Sequence, residues 1–158
     1  MNKLLLSLHV LAAIVAVGPV TVAASMFPAT LRRALADSHD GDARSTLRTL
    51  HRICRVYAGV GVAVPVFGFA TAGSLGVLGD AWLITSIVLT AAAAGVLALV
   101  ILPAQDRALA ERTGGVSPLP APTPLTPGRL AMVTGIFNLL WATVTVLMII
   151  RPGSTTGV

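Results

Sequence analysis

Apolar residues fall into four long runs along the chain, at 4–28, 53–75, 81–102 and 130–150. Each is long enough to cross a bilayer as a helix, which takes about 20 residues. No Asp, Glu or Lys stands inside any of them. Arg55 lies in the first turn of the second run, where a long side chain reaches back to the interface. Isolated strands would leave their backbone N–H and C=O groups unpaired in lipid, so the runs predict helices.

The connections give the order of these helices in space. Residues 76–80 form a tight turn, which makes the second and third helices antiparallel neighbours. Longer polar stretches, 29–52 and 103–129, join the other pairs. The first has the character to continue the second helix outward, from Arg44 to Arg55. The second carries Pro118, Pro120, Pro122, Pro124 and Pro127, an alternation that predicts an extended polyproline-II spacer. Pro19 and Pro65 are expected to kink the helices that hold them. The pattern as a whole predicts one all-α domain, a four-helix transmembrane bundle of up-down topology.

Composition narrows the class. Hydrophobic residues make up 55% of the 158 and charged residues 11%. A soluble domain carries about 25% charged residues, so this chain has too little polar surface to coat a globule in water. The same numbers exclude a disordered or collagen-like chain. The single Cys54 excludes an internal disulfide and a CxxC pair.

Charge placement then sets orientation. The formal net charge is +5, and the two long connections with Arg55 hold nine of the eleven Lys and Arg. Lys3 and Arg151 are the other two. Basic residues gather on cytoplasmic loops, so both termini are predicted to lie outside the cytoplasm of a bacterial inner membrane. The arginines then face lipid headgroups, and nucleic acid is not an expected partner. The start of the chain resembles a signal peptide, with Lys3, an apolar run and Val22-Ala23-Ala24. Its apolar run is longer than the usual h-region of about 7–15 residues, and Arg32 and Arg33 follow it as a stop-transfer signal would. It is read as a retained anchor.

Chemistry-bearing residues are few. His9 is an ionisable group inside the first apolar run, where such a residue is a functional candidate by default. A neutral imidazole can ligate haem or a metal; otherwise it bonds across the bundle, with Thr85, Ser86 or Thr145 at similar depth. His51 falls at the start of the second run and reads as an interfacial residue, and His39 lies in the first connection. The depth difference between His9 and His51 forbids one iron held by both. Thr134, Asn138 and Thr145, with Trp141 between them, share a face of the fourth helix and predict polar contacts within the bundle or a polar pocket. Small residues four apart, such as Gly59 and Ala63 or Gly68 and Ala72, permit close helix approach within the chain or with another subunit. No Walker loop, GxSxG elbow or HExxH motif occurs.

The opening Leu5-Leu6-Ser7-Leu8-His9-Val10-Leu11, with the small-residue run through Gly18, resembles a bacterial membrane pattern. So does Leu47-Arg48-Thr49-Leu50-His51-Arg52-Ile53-Cys54-Arg55 leading into Pro65 and Gly68. Together they resemble the domain-of-unknown-function family 2269. More distantly they resemble HemJ-type protoporphyrinogen oxidases and CopD-like copper-resistance membrane proteins. The distant resemblance implies b-type haem with His9 as ligand. The second-helix lysine of HemJ-like proteins has no counterpart here, since no lysine follows Lys3. The chemically sparse interior and the small-residue helix faces lead to the expectation of a non-catalytic component of a membrane complex, or a homo-oligomer, surrounded by lipid. The alternative is a haem-binding protein.

Overall fold

The computed structural model describes residues 2–37, 40–112 and 125–153. Its helices are α1 (Asn2–Ala36), α2 (Gly41–Val60), α3 (Ala63–Leu75), α4 (Ala81–Gly95), α5 (Leu102–Arg112) and α6 (Pro127–Ile150), with a π-helical stretch over Val96–Ile101 between α4 and α5. Among the described residues these form four rods long and apolar enough to cross a membrane: Lys3–Ala36, Gly41–Leu75, Ala81–Glu111 and Pro127–Ile150. The protein is an all-α transmembrane bundle.

All four rods run further than their apolar stretches, three of them by eight residues or more. The first reaches Ala36 rather than 28, the second starts at Gly41 rather than 53, and the third reaches Arg112 rather than 102. Hydropathy marks where a helix meets lipid, whereas hydrogen bonding marks where it ends. Asp40 starts α2 as an N-cap, accepting from the Ala43 N–H at 2.8 Å. Ala43, Leu47, Leu50 and Cys54 then form a buried stripe, while Arg44, Arg48, Arg52 and Arg55 are exposed. Residues 118, 120, 122 and 124 of the proline-rich connection, and His39, lie outside the described residues. Pro127 stands in the first turn of α6, where its missing N–H has no cost.

Prolines act at particular points. Helix α1 continues through Pro19 and Pro28. Pro65 coincides with a break instead: it cannot donate to Gly61, four residues back, and its ring crowds that carbonyl. Gly61 accepts from Val64 at 3.1 Å, in a tighter turn, and α2 gives way to α3. Pro103 stands in the same relation to Leu99, and the wider π-helical turns run up to it, with the Leu102 N–H donating to Leu97, five residues back.

Helix α1 lies at the centre, against α2, α3 and α6, while α6 also packs on α4 and α2 on α5. The main core runs through Phe27, Leu31, Leu47, Cys54, Ile101 and Phe137. A smaller cluster of Ala72, Val77, Trp82 and Leu83 closes the end near the termini. There Trp82 Nε1 donates to Asp80 at 3.0 Å, and the Arg151 guanidinium sits 5.7 Å from the Trp82 ring centre. Leu99, Leu139 and Ile149 are among the large side chains left facing lipid.

Replacing Asp40 with Ala should cost about 1 kcal/mol of stability by removing the cap of α2. Unfolding in detergent, followed by helical circular dichroism, checks this; an unchanged midpoint would show that the cap is idle.

Candidate functional site

The densest polar cluster joins α2 to α5. The α2 stripe turns His51 and Cys54 inward, and they are 7% and 0% exposed. Gln105, 0% exposed, meets them from α5. Its Oε1 lies 3.0 Å from His51 Nδ1, and its Nε2 donates to Cys54 Sγ at 3.7 Å. This amide orientation requires a proton on His51 Nδ1, because Oε1 can only accept. The other nitrogen, Nε2, lies 2.8 Å from Asp106 Oδ1, off the alignment a hydrogen bond needs. Both ring nitrogens thus face acceptor oxygens. The hydrogen bond to Gln105 fixes the ring, while the Nε2 contact with Asp106 is one of proximity only.

The π-helical stretch helps to aim this cluster. One extra residue in a helix rotates everything beyond it by about 100°. In a regular helix, Gln105 and Asp106 would therefore point to another face. Sequence reading puts His51 at the membrane interface and gives it no partner in the bundle, whereas the structure pairs it with Gln105. It also assigned residues 103–129 to a connection and so missed Gln105 and Asp106. The available signal was the run of helix formers from Ala104 to Arg112.

His9 joins α1 to α3. Its Nδ1 lies 3.0 Å from the Val64 carbonyl oxygen. A carbonyl only accepts, so Nδ1 carries the proton. The ring lies close against Gly68, where an added Cβ would stand 3.0 Å from Cε1 and 3.2 Å from Nδ1. The side-chain partners expected for His9 are occupied elsewhere. Thr85 donates to Ala81, Ser86 to Trp82 and Thr145 to Trp141, each a carbonyl four residues back in its own helix. A hydroxyl in an apolar helix reaches that carbonyl without needing a neighbour. Asn138 makes a crossing contact: its Nδ2 donates to Ser25 Oγ on α1 at 3.1 Å.

These residues do not bring His9 and His51 to one iron. His9 offers one nitrogen, Nε2, and its ring is seated against the α3 backbone. His51 bonds to α5, while His9 bonds to Val64, thirteen residues further along the α2–α3 rod. At 1.5 Å per residue that is roughly 20 Å, far beyond the reach of one iron. Among the described residues, no group of three or more His, Cys, Asp or Glu side chains could hold a metal ion.

Gln105→Leu should destabilise the bundle by about 1–3 kcal/mol, since it strands a buried ring N–H. Asp106→Asn should cost less, because its exposed carboxylate is screened by solvent. Detergent unfolding of both variants checks the order, and the reverse order would contradict the geometry. At the other histidine, Gly68→Ala should cost about 1 kcal/mol in the native sequence by displacing the ring from Val64. The same change should be near neutral in a His9→Ala background, which a double-mutant cycle measures.

Neither the curated proteins nor the solved structures contain a match to this chain. A family model described as "Predicted integral membrane protein (DUF2269)" matches residues 3–152, nearly the whole sequence. With four helical rods long and apolar enough to cross a membrane and a family model over nearly all of its length, the chain belongs to this family of integral membrane proteins of unknown function.

Proposed function

We propose that the protein is a non-catalytic component of an assembly in the bacterial inner membrane, with both termini outside the cytoplasm. The observation that carries this reading is the state of its exposed glycines. Gly18, Gly59 and Gly135 lie on exposed helix faces, and a Cβ added to any of them would meet nothing within 4 Å. The chain's own packing makes no use of their small size. Small residues on membrane helices let another backbone approach closely, and these are placed to do so for a further subunit. That subunit is a second copy or another membrane protein, and the remaining apolar surface meets lipid. The arginines of the two long connections support the orientation.

In a mild detergent the protein should migrate as a particle larger than the lone chain with its micelle. Gly135→Ile should reduce it to the lone chain without loss of helix. A native protein that runs alone would overturn the assembly reading. Tags at both ends should be cut by protease added to intact spheroplasts, and protected tags would reverse the orientation. A Soret band lost in His9→Ala would replace this reading with that of a b-type haem protein.

A further inference from the structure

Helix α6 holds three buried polar atoms without a hydrogen-bond partner: Thr134 Oγ1, Asn138 Oδ1 and Trp141 Nε1. Their residues are spaced four and then three apart, which places them within an arc of about 60° on one helix face. Thr134 is 2% exposed. On the same helix Thr143 and Thr145 donate to the carbonyls four residues back, and Thr134 has no such bond. The Asn138 amide is fixed by Ser25, to which Nδ2 donates, so Oδ1 is the atom left over. Long side chains on a helix lean towards its N-terminus, which carries the Trp141 indole back over the preceding turn. Its edge-on contact with Phe137, at 6.4 Å between ring centres, agrees with that direction.

An unpaired polar group buried in a low-dielectric interior is costly, and three on one seam call for something to pair with them. Their chemistry is complementary to one kind of guest. The indole N–H needs an acceptor, the amide oxygen needs a donor, and the hydroxyl takes either. Water supplies both, and a buried water is held by two to four such groups. The three atoms are buried within the chain's own fold, so a neighbouring subunit's side chain does not reach them. The seam lies in the middle of α6, about 10 Å from its first residue at Thr134 and about 21 Å at Trp141. That is the central part of a hydrocarbon layer about 30 Å thick.

We propose that the Thr134–Asn138–Trp141 seam is a water-binding site at the middle of the membrane, with the indole N–H donating to the bound water and Asn138 Oδ1 accepting from it. The bundle then has a small hydrated point along α6, independent of any assembly partner.

The experiment is proton-detected solid-state NMR on the full chain in lipid bilayers with ¹⁵N-labelled tryptophan. The protein has two tryptophans, so the Trp141 indole resonance is assigned by its loss in Trp141→Phe. Magnetisation transfer from water should reach the Trp141 N–H, and in Thr134→Val and Asn138→Leu it should fall several-fold. Helix content measured alongside shows that each variant is folded. If Asn138→Leu does not fold, Thr134→Val and the native chain carry the test. A Trp141 N–H that receives nothing from water, or transfer unchanged in folded variants, would overturn the proposal.

Discussion

Lipid offers a polar group no hydrogen-bond partner, and the rest of this structure follows from that constraint. It makes each crossing a helix, because a helix pairs its own backbone. It sends the hydroxyls of Thr85, Ser86 and Thr145 to carbonyls one turn back. It also accounts for where helices join through polar contacts. His9 meets a backbone oxygen of α3, and Asn138 meets Ser25 of α1. In water each contact would compete with solvent; inside a membrane the competitor is an unpaired group.

The prolines show the same constraint from the other side. Pro65 and Pro103 each remove a donor and crowd the carbonyl four residues earlier, and at both the backbone takes another arrangement. Gly61 answers Pro65 with a tight turn, and the second rod divides there into α2 and α3. A stretch of wide turns precedes Pro103, and the third rod passes on with its register shifted. The two solutions have opposite results for the polar contacts. One separates α3, which carries the His9 acceptor, from α2, which carries His51. The other brings Gln105 and Asp106 to His51.

How much of this was legible in the sequence depends on the range of the interaction. The four crossings were legible because hydropathy is a local property of about 20 residues. The helix ends were less so. Asp40 caps α2 among polar residues, where no apolar run points to a helix start. The pairing of His51 with Gln105 spans 54 positions and depends on a backbone irregularity, and neither is visible in the residue pattern. His9 was recognised as unusual from its burial in an apolar run, but side chains were considered as its partners, and a carbonyl carries no sequence mark. Gly68 gives a reason for a glycine at that position only once the imidazole is seen against it.

The length of α1 has a consequence of its own. Thirty-five residues of helix measure about 52 Å, well over the roughly 30 Å of a hydrocarbon layer. The end that bears Arg32 and Arg33, braced by the first turns of α2, therefore stands as a short rigid stub above the lipid. Small membrane proteins without a water-exposed domain give an electron microscope little to align on. Here a binder raised against that stub would hold a fixed angle to the whole bundle and serve as its fiducial mark.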